Sequence, residues 1–156
     1  MDQTPDVTPI GDRVRQVLTE ARMVLPGAQA LLGFGSIAVL MDAFKQLPGT
    51  LKLVHAIGLC FIALAIVLLM TPAAYHRIVE EGRESERFHR VASRLLLAAM
   101  ASLAPGLGAA LWLVLEVAFE SRAAGLVGAI GVVAVFYSAW FGWTLFQRAR
   151  ARTVPR

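Results

Sequence analysis

The sequence has little of what most catalytic sites are built from. Its one cysteine, Cys60, falls inside an apolar run, so no disulfide can form within the chain and we expect a small core residue there. The sequence contains no Cys/His metal spacing, nucleophile elbow or phosphate-binding glycine loop. These absences predict a protein that is not an enzyme and has no catalytic residues, metal ligands or cofactor.

Histidine is also scarce, with three in 156 residues. His55 and His76 fall on one predicted helix, about 30 Å apart at a rise of about 1.5 Å per residue, so they cannot bind the same haem iron. His76 and His89 lie close to arginines at the ends of apolar runs, where an interfacial position is commoner than a haem ligand. The histidine pattern therefore argues against haem.

Charge is the third deficiency. Charged residues make up 17% of the chain and hydrophobic ones 57%, with a mean hydropathy of +0.63, whereas a soluble domain has about 25% charged residues. Long uncharged runs predict an all-α integral membrane four-helix bundle with spans at about 23–44, 53–75, 95–118 and 123–146. Residues 1–10 are expected to form a disordered tail, 11–146 the transmembrane domain and 147–156 a basic cytoplasmic tail.

The segment before the first span has the pattern of an amphipathic helix. Between Gly11 and Leu25, apolar residues recur at helical spacing, namely Val14, Val17, Leu18, Ala21, Val24 and Leu25. We expect a short interfacial helix that leads into the first span. It is either a basic flank of that span or a collar that binds lipid.

Lysine and arginine are distributed unevenly among the predicted connections. Twelve of the fifteen flank the start of span one, the connection between spans two and three, and the end of span four: Arg13, Arg15, Arg22, Arg77, Arg83, Arg87, Arg90, Arg94, Arg148, Arg150, Arg152 and Arg156. The other three are Lys45, Lys52 and Arg122. The bias predicts that both termini and the central connection are cytoplasmic. It also favours anionic lipid headgroups over nucleic acid as partners.

Polar residues at the span ends define three candidate sites. The inner polar cluster is Glu20, Arg22, Gln29, His76 and Arg77, with Glu20 expected beside an arginine. The outer polar cluster is Asp42, His55 and Glu116. The residues expected at lipid headgroups are Arg83, Arg87, Arg90 and Arg94. For the inner polar cluster, a structural ion pair between two helices is the simpler interpretation and a functional gate the alternative.

Turn and capping signals place the remaining features. Ser85 is expected to cap the third span, after a stop at Gly82, and Glu86 to pair with Arg90 one turn later. Pro105 predicts a kink in the third span.

The fourth span carries Gly125, Gly128 and Gly131, which predict close packing against another helix of the chain or of a second copy. Its far end carries aromatic residues expected as interfacial anchors, namely Tyr137, Trp140, Trp143 and Phe146.

Two segments, TEARMVLPGAQALLGF at 19–34 and TPAAYHR at 71–77, resemble a bacterial family of small four-helix membrane proteins of unknown function. The resemblance covers roughly residues 12 to 120. It implies a bacterial inner membrane, and some members of the family carry an automatic sodium:proton antiporter label. The family has no established functional residues to transfer to this chain.

Ion transport and lipid binding are the two functional hypotheses. Coupled transport needs an ionisable group deep in the membrane, and the predicted spans place theirs near the boundaries. A pathway would therefore require a homo-oligomer that encloses it. The alternative is a non-catalytic membrane module that binds anionic lipid or a partner protein through its arginine-rich face.

Overall fold

The computed structural model describes residues 9–80 and 85–153, and it is 91% helical. Its helices are α1 (Ile10–Ala38), α2 (Asp42–Lys45), α3 (Gly49–Ile78), α4 (Glu86–Phe119), α5 (Arg122–Tyr137) and α6 (Trp143–Thr153), with a π-helical turn at Ser138–Gly142 between the last two. The described residues form no strand. The predicted all-α class is confirmed.

The long helices run up and down beside one another. Gly58 of α3 lies against Gly106 and Ala109 of α4, and further along the same pair Tyr75 lies against Phe88, so the two helices are antiparallel. Gly125 of α5 lies against Trp112 of α4, and Tyr137 reaches back to Ala101, so α5 is antiparallel to α4 as well. Helix α1 packs on both α3 and α4.

Alanine residues allow α1, α3 and α4 to approach closely around a shared core. The buried members of this core are Ala21, Ala28, Ile62, Ala65, Leu69, Leu96, Ala99 and Leu103. Between α3 and α4 the approach is closest at the glycines: a Cβ built on Gly58 would lie 2.6 Å from the Cβ of Ala109. Small residues thus set the spacing of the bundle, as they do between helices in membranes.

Three helical segments are long and apolar enough to cross a membrane: Gly49–Ile78, Glu86–Phe119 and Arg122–Ala151. This indicates a membrane protein. Four spans are not confirmed, because α1 is not among the three. Its first half is charged, and its second half is diluted by Pro26, Gly27 and Gln29. Helix α1 also ends at Ala38, before the expected limit at Phe44, and a turn leads from it into α2.

The separate interfacial helix expected at the N-terminus is not confirmed either. Helix α1 continues from Ile10 through Pro26 to Ala38 without a break. Its first apolar residues pack against α4 rather than lying open to lipid: Val14 and Val17 are buried in a second cluster with Phe88 and Ala92. We attribute the difference to Phe88, which gives this apolar face a protein partner and is itself completely buried.

The start of α4 follows the predicted capping but not the predicted pairing. The Ser85 side chain accepts a hydrogen bond of 3.0 Å from the Phe88 backbone N–H, so the expected N-cap is confirmed. Glu86 forms its ion pair with Arg13 of α1 instead of Arg90. Helix α4 continues through Pro105, and the expected stop at Gly82 lies outside the described residues.

Candidate functional site

The inner polar cluster lies partly along a groove between α1 and α3. The groove has a volume of about 550 Å³, and three of the five predicted residues line it: Arg22 from α1, and His76 and Arg77 from the last turn of α3. The antiparallel helices bring these residues together, because the groove lies between the ninth to sixteenth residues of α1 and the end of α3. Leu25 and Leu69 line the part of the groove nearer the middle of the bundle.

The other two predicted members of the inner polar cluster do not line this groove. Glu20 accepts a hydrogen bond of 3.0 Å from Gln16, one turn earlier on the same helix, and is not paired with an arginine in the described part of the chain. Gln29 is exposed, and its side-chain amide makes no hydrogen bond within residues 9–80 and 85–153. The ion pair expected at Glu20 is therefore absent from the described structure.

The ion pair that does join two long helices was not predicted. An Arg13 nitrogen lies 2.7 Å from a carboxylate oxygen of Glu86, although 73 residues separate them in the sequence. It lies beside the cluster of Val14, Val17, Phe88 and Ala92. No local spacing links the two residues, because the contact depends on how α1 packs along α4.

The structure gives each member of the outer polar cluster its own partner. His55, which is 6% exposed, is bonded through Nε2 to the Gly35 carbonyl oxygen of α1 at 2.8 Å, and a carbonyl can only accept, so Nε2 carries the proton. Asp42 pairs with Lys45 at 2.8 Å, and Glu116 accepts a hydrogen bond of 2.6 Å from the Trp112 indole. These residues thus form three separate contacts rather than one site.

Three of the four arginines expected at headgroups lie on the first turns of α4. Arg87, Arg90 and Arg94 are exposed, and none forms an ion pair with the described residues. Arg83 lies outside those residues. Their contact with lipid headgroups stays a prediction.

The histidines are not arranged around a common centre. His76 packs edge-on against Phe88, with ring centroids 5.0 Å apart, and His55 packs against Phe44 at 5.2 Å. The buried Nδ1 of His89 has no hydrogen-bond partner in the described structure. Across residues 9–80 and 85–153, no three His, Cys, Asp or Glu side chains lie close enough to hold a metal ion.

The glycines of α5 lie in two different environments. A Cβ on Gly125 would lie 2.9 Å from the Trp112 carbonyl oxygen, and one on Gly128 would meet Leu115, so both glycines pack against α4 of the same chain. Gly131 has open space beside it. The close packing predicted for this face is therefore satisfied within the chain at the first two glycines.

Most of the chain matches the model of a protein family. The model of a family described as "Family of unknown function (DUF6328)" matches residues 11–144. The chain belongs to this family. The match runs from the start of α1 into α6, so the DUF6328 region includes the groove, the Arg13–Glu86 pair and His55. No curated protein and no solved structure matches the chain. The bacterial origin and the antiporter label implied by the resemblance stay predictions.

Proposed function

We propose that this chain is a multi-pass protein of the bacterial inner membrane whose arginine-rich end faces the cytoplasm and binds anionic phospholipid. The separation of charge along the bundle carries the proposal. Seven arginines lie where α1 begins, α3 ends and α4 begins: Arg13, Arg15, Arg22, Arg77, Arg87, Arg90 and Arg94. The basic residues near the opposite helix ends are Lys45, Lys52 and Arg122.

Most arginines at this end are not paired with a carboxylate, although Asp12, Glu20, Glu80 and Glu86 lie at the same end. Of the seven, only Arg13 forms an ion pair within residues 9–80 and 85–153. A basic side chain near an anionic membrane surface gains about 1 kcal/mol from the lipid. Headgroups can therefore supply the negative charge that the unpaired guanidinium groups lack. The proposal involves no catalytic step, metal or nucleic acid.

Lipid-dependent stability tests the proposal. We expect the melting temperature of the full chain in mild detergent to rise with added phosphatidylglycerol and to change little with phosphatidylcholine of the same acyl chains. Salt should reduce the rise, since it screens exposed charge. Replacing Arg87, Arg90 and Arg94 with Gln should diminish the response, whereas replacing Lys45, Lys52 and Arg122 should preserve it. Equal responses of the wild-type chain to the two lipids would refute the proposal.

A homo-oligomeric ion pathway is the second candidate function. The observation that favours it is the exposure of the last of the three apolar spans. In its most apolar stretch 11% of the residues are buried, against 28% and 33% in the other two spans. The open side of Gly131 lies on this span, so a second copy has room to approach. Proton or cation flux through reconstituted protein would support a pathway. Absence of flux together with dependence on anionic lipid would favour the lipid-binding module over an ion pathway.

A further inference from the structure

The groove between α1 and α3 changes in character along its length. At one end are His76 and Arg77, in the last turn of α3, and Arg22 reaches the groove from α1. Towards the middle of the bundle its walls are apolar, with Leu25 on α1 and Leu69 on α3. At about 1.5 Å per residue, Leu69 lies about 12 Å along the helix from Arg77. The groove therefore has cationic groups at one end and an apolar wall that begins within about 12 Å of them along the helix.

The two arginines of the groove are available to a ligand. Both side chains are exposed, and neither guanidinium makes an ion pair or hydrogen bond with residues 9–80 and 85–153. Arginine is suited to phosphate, because its planar guanidinium donates two parallel hydrogen bonds to two oxygens. Two such side chains from opposite helices can contact one phosphate from both sides.

We propose that this groove binds one anionic glycerophospholipid, with its phosphate between Arg22 and Arg77 and an acyl chain along Leu25 and Met70, a residue of the groove that is 54% exposed. This inference rests on the proposed function and makes it specific, because it assigns one site on a face that otherwise attracts headgroups diffusely. The apolar wall distinguishes a phospholipid from a free phosphate ester, which would contact the arginines and leave that wall uncovered.

Ala73 provides a way to test the acyl-chain part of the site separately. It lines the groove between the cationic end and Leu69, and its side chain is exposed. A larger apolar residue at this position occupies the space of the acyl chain and leaves both arginines in place. We therefore expect Ala73→Leu to weaken phospholipid binding without affecting the binding of glycerol phosphate.

Native mass spectrometry of the full chain, titrated with phosphatidylglycerol, phosphatidylcholine or glycerol phosphate, tests the assignment. We expect the double variant Arg22→Gln/Arg77→Gln to bind the first phosphatidylglycerol about tenfold or more weakly, which corresponds to the loss of one charge-assisted contact or more. The matched control Arg90→Gln/Arg94→Gln removes the same charge from the same end outside the groove. It should weaken the binding of further phosphatidylglycerol molecules to the face but change the affinity for the first one less than about threefold. Arg22→Lys/Arg77→Lys, which keeps the charge, should recover part of the loss.

Three results would overturn the assignment, and each has a different meaning. Equal losses in the groove variant and the control would show a diffuse face with no groove site, while leaving the proposed function intact. Binding of glycerol phosphate as tight as that of phosphatidylglycerol would show a site for a free phosphate ester. No preference of the wild-type chain for phosphatidylglycerol over phosphatidylcholine would remove the proposed function itself. Matching melting curves of the lipid-free variants would exclude misfolding as the cause of a loss.

Discussion

The hydroxyl of Tyr137 donates a hydrogen bond of 2.9 Å to the carbonyl oxygen of Ala101. In a regular helix this carbonyl would accept from the N–H of residue 105, and Pro105 has none. Helix α5 therefore supplies the donor that α4 lacks. Such compensation matters most in an apolar environment, where no water is available to bond a free carbonyl.

We predict that Tyr137→Phe lowers the free energy of unfolding by about 1 kcal/mol, the usual size of a hydrogen bond between membrane helices. Unfolding of the purified chain in mixed micelles measures the change. The effect should shrink in a Pro105→Ala background, because the restored N–H can bond Ala101. Tyr75→Phe is the matched control, since the Tyr75 hydroxyl makes no hydrogen bond with the described residues. Equal losses with and without Pro105 would contradict this explanation.

The ion pair of Arg13 and Glu86 leads to a second prediction, which contrasts two glutamates. Glu86→Gln should lower the free energy of unfolding by up to about 1 kcal/mol, with less effect at high salt, because both side chains are partly exposed. Glu20→Gln should change it by less than about 0.5 kcal/mol, since Glu20 bonds only to Gln16 of its own helix. A larger loss at Glu20 than at Glu86 would be inconsistent with the observed pairing.

The close approach of α3 and α4 predicts opposite effects at two helical glycines. Gly58→Ala should cost about 1 to 3 kcal/mol through overpacking, because the new Cβ would lie 2.6 Å from that of Ala109. Gly33→Ala has no atom within 4 Å of the new methyl group and should be neutral, or stabilising by about 0.5 to 1 kcal/mol through helix propensity. Unfolding in mixed micelles compares the two variants. Similar effects at both positions would disprove the packing argument.

The bond from His55 to Gly35 predicts a specific contribution to the packing of α1. His55→Leu removes the donor and should lower the free energy of unfolding by about 1 to 2 kcal/mol. His55→Gln, which retains an N–H donor of similar reach, should lose less. If both variants were equally destabilised, the shape of the imidazole rather than its hydrogen bond would be responsible.

Orientation is tested by reporter fusions. The arginine bias predicts cytoplasmic reporters after Val79 and after Arg156, and a periplasmic reporter after Gly49. A further fusion after Pro9 determines whether α1 crosses the membrane: a cytoplasmic signal there, combined with the periplasmic signal after Gly49, means that it does. If the reporters before and after α1 lie on the same side of the membrane, α1 does not cross it, and the spans are the three identified by their apolarity.

The features that the sequence predicts well are those encoded locally. Uncharged runs and helical periodicity indicate the all-α class and the long apolar helices, and Ser85 caps α4 through a contact within one turn. Arg22, His76 and Arg77 could be grouped because a short connection makes α1 and α3 neighbours. Three of the five residues predicted for the inner polar cluster therefore line one groove, whereas Glu20 and Gln29 do not.

Contacts that depend on the rotation of one helix against another could not be predicted in this way. Arg13 meets Glu86 because the rotation of α1 about its axis turns this side of its first turns towards α4. The same rotation leaves Glu20 outside the groove between α1 and α3, where it bonds to Gln16. Tyr137 was expected only as an interfacial anchor. Its bond to Ala101 depends on the register of α5 against the proline of α4, which the spacing within either helix does not specify.

The lower apolarity of α1 has a consequence for biosynthesis. A ribosome makes α1 before α3 and α4, yet the core residues that α1 packs against, such as Ile62, Leu69 and Leu103, belong to these later helices. The hairpin of α3 and α4 is apolar enough to insert into the bilayer without α1. Helix α1 can therefore reach its final position only after that hairpin is in the bilayer, so the order of translation and the order of assembly are opposite at the N-terminus.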